Sequence, residues 1–297
     1  TLAAHTMLGV LPLRLFGSEE AKARWLGRLT TGGLAAFALT EPQGGSDIGG
    51  LETSAVRDGD DYVLTGEKAL IASIHHADLI IVAARTRPEG GSMGLSVFLV
   101  DPELPGVHVH DRREATMGMR GTDIGSVSFS EVRIPSTAIL GRENLGMMVL
   151  HKGLVGDRVA TATIALGIAE AAQAHAVRYA KSRMQGGEPI SRHQAVRNLI
   201  ADMEVRIAAS RLLIEAAAEK LSSGKDATEA ASVAKLHASE AANAVAKDAV
   251  QIFGGWGYLR NYPVERLMRD AKHTEIVDGT SQIQRLLIAD SVLRRIR

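Results

Sequence analysis

The chain has 297 residues, 45% of them hydrophobic and 23% charged, with 34 basic and 34 acidic side chains and a formal net charge of zero. A prior of about 150 residues per domain gives about two domains, and the balanced charge argues against a general nucleic-acid binder and against a polybasic membrane anchor. There are no cysteines, which excludes a disulfide framework, a thiolate metal site and a cysteine nucleophile and fits a reducing compartment.

No stretch approaches the ~18 apolar residues a membrane span needs. The chain opens at Thr1 without a charged leader before an apolar run, so it reads as a fragment or processed product with no signal peptide. Aromatic residues make up only 4% and alanine is plentiful, a composition for helices packed through small side chains.

Residues 1–35 read as helix: Leu8, Leu11 and Leu15, then Ala21, Trp25 and Leu29, recur at helical spacing. Ser18 followed by Glu19 and Glu20 marks a helix start. Residues 36–145 change to short β-prone runs: Tyr62–Leu64, Leu79–Ala84, Leu95–Val100, Val107–Val109 and Val127–Ile134. Turn signals at Asp58-Gly59-Asp60, Glu89-Gly90-Gly91, Pro105-Gly106 and Gly121-Thr122-Asp123 separate them. This block reads as a barrel or packed sheets. Residues 146–297 return to helix, at about 146–183, 192–222, 228–253, 264–275 and 281–296. Several of these are apolar on more than one face, as central members of an antiparallel bundle are.

Three glycine-bearing segments could carry chemistry. In Thr40–Asp47 the glycines let backbone N–H groups approach a ligand and Ser46 adds a hydroxyl; by composition alone it is an ordinary turn. Gln251–Tyr258 ends a helix in glycines, either a plain C-cap or a close approach of backbone to phosphate. In Asp278–Gln284, Ser281 and Gln284 have capping-box spacing, and Gly279 would hold the Asp278 carboxylate just outside the helix, where it is either a solvated acid or a base. His75-His76 with Asp78 invites a metal reading, but adjacent histidines in a strand face opposite sides, so no metal is expected. Neither a Gly-x-Ser-x-Gly elbow nor a phosphate-binding Walker loop is present.

In combination these segments resemble a known family. TLAAHTMLGVLPLRLFG, GSEEAKARWLGRLTTG and FALTEPQGGSD at one end, with QIFGGWGY and YPVERLMRDAKHTEIVDGTSQIQRLLIA at the other, are similar to the acyl-CoA dehydrogenases. Ile134-Pro135, Gln194-Ala195-Val196 and Ala201-Asp202-Met203 also match. The likeness covers essentially the whole chain and is nearest to short- and medium-chain members, with much of the amino-terminal helical domain absent. It implies an α+β multidomain fold: a remainder of the amino-terminal helical domain (1–35), a central β-barrel domain (36–145) and a carboxy-terminal up-down four-helix bundle (146–297).

The resemblance further implies an FAD-dependent oxidoreductase of fatty acid and lipid metabolism. It would oxidise an acyl-CoA, or an acyl-carrier protein, to the 2-enoyl thioester. One FAD per subunit would sit between the β domain and the bundle. Electrons would pass to electron-transfer flavoprotein, and the assembly would be a homotetramer, a dimer of dimers. Its setting would be a bacterial cytoplasm or a mitochondrial matrix.

Residue by residue, Leu39, Thr40, Gly45 and Ser46 match the loop against the flavin, with Ser46 also toward substrate. Arg183, Gln251, Gly254 and Gly255 match positions that reach the FAD of a neighbouring subunit, and Thr280 and Gln282 match positions near FAD after the catalytic turn. Asp278 takes the place of the usual catalytic glutamate, with Gly279 beside the substrate, and the Asp278 N–H would help hold the thioester carbonyl. Asp157 falls where isovaleryl- and long-chain-type members carry their base, and Arg158 would support either acid.

Four positions depart from the family pattern. Asp278 is shorter than Glu by about 1.5 Å of reach. Leu70 stands for a Trp beside the flavin, Ala72 for a Thr or Ser that bonds flavin N5, and Gly186 for a Phe on the neighbouring cofactor. Two alternatives stay open beside the dehydrogenase: a flavin oxidase of the nitroalkane-oxidase type, which uses Asp as base, and a non-catalytic member completing a partner's FAD site.

Overall fold

The structure is a computed structural model, and it describes residues 1–296. The chain divides into two compact units, Thr1–Ala115 with Arg120–Asp157, and Thr116–Met119 with Arg158–Arg297.

The first unit opens with α1 (Leu2–Ala4), a π-helical stretch His5–Val10, α2 (Leu11–Phe16) and α3 (Glu19–Thr30). Ser18 caps α3 by accepting from Ala21 N, with Glu19 and Glu20 in the first turn, as the sequence indicates. Leu8, Leu13, Ala21, Trp25 and Leu29 are buried, whereas Leu15 faces out. Seven strands follow: β1 (Ala35–Ala38), β2 (Ser54–Asp58), β3 (Asp61–Ala72), β4 (Leu79–Arg85), β5 (Leu95–Val100), β6 (Val107–Val109) and β7 (Ile124–Pro135). They form one curled sheet in the order β1-β4-β2-β3-β7-β6, with β5 also paired to β4. Two of these strands escape a sequence reading. β1 is Ala-Ala-Phe-Ala, poor in β-branched residues, and β2 has only Ala55 buried.

The reason β4 reads as an unbroken apolar run is visible in its two faces. Ile80, Val82 and Ala84 point into the core enclosed with Tyr62, Leu64, Phe98 and Phe129. Leu79, Ile81 and Ala83 point the other way, onto Trp25, Leu29 and Leu13 of the opening helices. A strand covered on both faces has no polar alternation to show. Two register shifts, at Leu64/Gly66 and Lys68/Ile71, bend β3 against β7. The second places Leu70 at φ 58 and 65% exposed, a bulge of the sort that re-aims a side chain.

A long helix, α4 (Gly146–Ser182), crosses the division between Asp157 and Arg158. The second unit continues through the hairpin strands β8 (Met184–Gln185) and β9 (Glu188–Pro189). Helices α5 (Gln194–Ser222), α6 (Thr228–Phe253), α7 (Pro263–Thr274) and α8 (Ser281–Arg295) complete it. Helix α6 is the most enclosed: Ala231, Ala234, Ala238, Ala242, Val245 and Ala249 are all buried, so neighbours approach closely over small side chains. Among the described residues, no helix is long and apolar enough to cross a membrane.

Candidate functional site

In the first unit the loop after β1 is built around a buried ion pair. Glu41 is 3% exposed and Lys68 of β3 is fully buried. Lys68 Nζ donates to Glu41 Oε1 at 2.7 Å and to Leu39 O at 3.1 Å. The same carboxylate accepts Thr53 N at 3.0 Å, Glu52 N at 2.7 Å and Gln43 Nε2 at 2.6 Å. Burial pushes the Glu41 carboxyl up, and these donors outweigh it, leaving it at about 2. Burial likewise pulls the Lys68 amine down to about 8 despite the attraction of Glu41.

The pair fixes the loop between them. Ala69 N donates to Thr40 O, and Glu41 and Gly44 exchange backbone bonds. Gly45 and Ser46 are left exposed at the tip, with Leu39 and Thr40 half-buried beneath. Asp47 caps the short turn Ile48–Gly50 by accepting Gly50 N. The chemistry available at this edge is a hydroxyl and free-standing backbone beside the exposed Leu70 and the half-buried Ala72.

The two histidines are not on a strand but on a 3-10 turn, Ile74–His76. His75 Nδ1 meets Asp123 at 2.8 Å and its Nε2 meets His110 O at 2.7 Å. Burial raises the Asp123 carboxyl, but its bonds from His75 bring it below the usual range. Asp78 is committed elsewhere, accepting Leu34 N and pairing with Arg28.

In the second unit the turn before α8 carries Asp278. Asp278 has φ 57 and Gly279 φ 87, two successive left-handed residues. An aspartate tolerates that region better than most L residues. Thr161 on α4 donates its hydroxyl to Asp278 Oδ2 at 2.5 Å. Arg158, one turn earlier, is 6% exposed, and its Nε and Nη1 have no hydrogen-bond partner among the described residues. Burial pulls the guanidinium below its ordinary value and the Asp278 charge opposes that. Asp157 is 2% exposed on the same helix.

Two further side chains brace the turn. Lys235 of α6 donates to Gly279 O at 2.8 Å, and Gln284 Nε2 donates to Gly279 O at 2.8 Å and to Asp278 O at 3.2 Å. The N-cap of α8 is Thr280, which accepts Ile283 N; this corrects Ser281, whose Oγ is buried without a partner. The capping box fails because Gln284 turns back to the 278–279 carbonyls instead of reaching the cap. Gln282 is exposed on the first turn of α8. A Cβ at Gly279 would stand 2.7 Å from Gln284 Nε2. Gly279→Ala is therefore expected to lower stability by about 1–3 kcal/mol through strain at this φ, as read from thermal melts.

A second feature of this unit is a cavity of about 500 Å³ lined by Tyr179, Arg183, Gly254, Gly255, Trp256 and neighbours. Phe253 stacks on Tyr179 at 4.1 Å between centroids. Gly254, at φ 61, ends α6 as its C-cap, and a Cβ on Gly254 or Gly255 would meet open space. Gln251 is exposed one turn back. A guanidinium beside bare backbone and an aromatic stack suits a diphosphate joined to a flat ring system. Gly186 sits in the β8–β9 turn at φ 62, followed by Gly187 at φ 86, a two-residue hairpin that a bulky side chain would strain.

The sequence reading missed Glu41, Lys68, Thr161 and Lys235. Lys68 falls on the inward parity of Tyr62 and Leu64, and Lys235 lies on the alanine face of α6, so each is a lone charge in an apolar row.

Residues 36–132 match the family described as acyl-CoA dehydrogenase, middle domain, and residues 144–293 match acyl-CoA dehydrogenase, C-terminal domain. An acyl-CoA dehydrogenase of Bacillus subtilis is 43% identical over 293 residues, covering 98% of this chain and 77% of the relative. Butyryl-CoA dehydrogenase from Megasphaera elsdenii superposes with a TM-score of 0.96 at 40% identity, covering 99% of this chain and 77% of the other. An FAD complex of PigA superposes with a TM-score of 0.95 at 32% identity, over 99% of this chain and 77% of that one. The chain belongs to the acyl-CoA dehydrogenase family of FAD-dependent oxidoreductases.

Proposed function

We propose that the protein removes the α and β hydrogens of an acyl thioester, with Asp278 as the base for the α-proton. The observation that carries this reading is the turn itself. A carboxylate is held by Thr161 at 2.5 Å beside a buried arginine with two nitrogens left to donate. A weakly acidic α-proton needs both a placed base and charge stabilisation of the enolate that forms.

In this reading the Asp278 carboxylate takes the α-proton while its backbone N–H donates to the thioester carbonyl oxygen. Arg158 and Thr161 hold the carboxylate against the pull of the departing charge, and Gly279 leaves the substrate face clear. Bound FAD supplies the acceptor for the β-hydrogen, which leaves as hydride. Leu39, Thr40, Gly45, Ser46, Leu70, Ala72, Thr280 and Gln282 would hold the flavin, with Ser46 also reaching substrate. Arg183, Gln251, Gly254 and Gly255 would hold the diphosphate of a neighbouring subunit's FAD, in the cavity beside the Tyr179–Phe253 stack. Residues 1–35, 36–145 and 146–297 act as the three domains of this arrangement. The substrate is an acyl-CoA or acyl-carrier protein, the acceptor electron-transfer flavoprotein, the assembly a homotetramer, and the setting bacterial cytoplasm or mitochondrial matrix.

The test is an anaerobic titration of the FAD-loaded protein with acyl-CoA thioesters of graded length and branching. Bleaching of the flavin band by one chain type is expected, and it names the substrate class. A flavin band that no thioester bleaches overturns the reading.

A further inference from the structure

We propose that Lys235 is a positioning residue for the Asp278 turn, acting through the carbonyl of Gly279. The proposal rests on the reading of Asp278 as base. Its starting point is a side chain that folding alone does not explain. Lys235 is fully buried on α6, in a row with Ala231, Ala238 and Ala242, which are also buried. Replacing a buried cation by an apolar side chain of similar volume is commonly neutral or stabilising. A lysine kept in this row has to do something an apolar residue cannot.

The geometry says what that is. Lys235 Nζ donates to Gly279 O at 2.8 Å, and Gln284 Nε2 donates to the same oxygen at 2.8 Å. One carbonyl is thus pinned from two helices, at the residue after the base. The pinned segment needs it, because Asp278 and Gly279 are both left-handed and have no helical ladder of their own. Thr161 fixes the carboxylate end of Asp278; Lys235 and Gln284 fix the backbone end.

The charge adds to the tether. Burial pulls the Lys235 amine down to about 8, the Asp278 charge pulls it back up and Arg158 pushes it down. Glu275 and Glu240 also attract it, and His273 faces the same charges with its own imidazole pulled down by burial. Lys235 and Arg158 therefore repel each other, and both are drawn to the one carboxylate. A base one methylene shorter than glutamate depends more on where its backbone sits, and a misplacement of about 1 Å costs roughly a hundredfold in rate.

The experiment compares wild type with Lys235→Met, which keeps the length of the stem and removes the donor and the charge. Four readouts are taken: steady-state kinetics, FAD bound per chain, melting temperature, and hydrogen exchange of residues 276–281 in flavin-loaded and flavin-free protein. The expected result is a fall in kcat of about 10- to 100-fold, with KM and FAD content within twofold, and faster exchange in 276–281 in both forms. A kcat within twofold of wild type overturns the proposal. So does a proportional fall of kcat, FAD content and melting temperature, which marks a purely structural lysine. Should Lys235→Met fail to fold, Gln284→Met removes the other donor to the same oxygen. Faster exchange with lower kcat then supports the tether, and no change overturns it. Asp278→Asn is measured alongside. If it retains wild-type kcat, the base assignment falls; if it is inactive while Lys235→Met is unchanged, only the tether falls.

Discussion

Asp278→Asn is expected to lower kcat by about 10²- to 10⁴-fold, the range a placed general base supplies. The substitution is nearly isosteric, and Asn can still accept the Thr161 hydroxyl that bonds Asp278 Oδ2. The turn should keep its shape, because its other ties run to the Asp278 and Gly279 carbonyls. What disappears is the capacity to take a proton. The loss should therefore appear in the rate of anaerobic flavin bleaching at saturating thioester, with FAD content and thermal stability near wild type. Asp157→Asn is the comparison. Asp157 is buried on α4, and a larger loss there than at Asp278 would move the base to that helix.

The second large effect is on stability. Lys68→Met is expected to cost about 3–5 kcal/mol, the penalty for removing one partner of a buried ion pair and leaving the other charge behind. Its pH signature follows from the two groups. Glu41 lies at about 2, below its ordinary 4.5, so its contribution is full above pH 4.5 and is lost as pH falls toward 2. Lys68 lies at about 8, below its ordinary 10.5. The cost of burying its charge is full below pH 8 and shrinks as pH rises from 8 to 10.5, where only the unfolded chain still holds the proton. Urea melts at intervals from pH 2.5 to 10 would show both slopes. In Lys68→Met the acid loss from Glu41 should shrink, because without the amine its folded value moves back toward 4.5, and the alkaline rise from this lysine should vanish. Flavin affinity should fall with it, because the loop from Thr40 to Ser46 hangs on the same pair.

The helices after residue 146 are legible because caps and glycines punctuate them; the read start at 228 and stop at 253 coincide with α6. The sheet is legible where strands are β-branched, as in β4 and β5, and not in the alanine-rich β1 or the mostly exposed β2. Asp278 is legible because a Gly-Thr-Ser stretch follows it in sequence. Its bracing is not, since Thr161 and Lys235 lie 117 and 43 residues away in the chain and carry no local signature. Ser281 failed as the cap for a related reason. A side-chain pattern of local spacing was diverted by the shape of the turn itself, whose two carbonyls take the Gln284 amide.

The strand β4 has one more consequence, for how this protein would fail. Leu79–Ala84 is six uncharged, β-prone residues, a segment that other chains can pair with indefinitely once it is uncovered. Asp78 and Arg85 bracket it as charged gatekeepers, and in the native chain both are tied down, Asp78 to Leu34 N and Arg85 to Leu51 O and Gly49 O. Its safety lies in being covered on both faces at once, by the opening helices and by the other strands. Any lesion that loosens the first unit therefore exposes a template for aggregation before it yields a soluble unfolded chain. Heating should end in precipitate whose yield depends on protein concentration, and inactivation should follow the rate of opening, not an equilibrium.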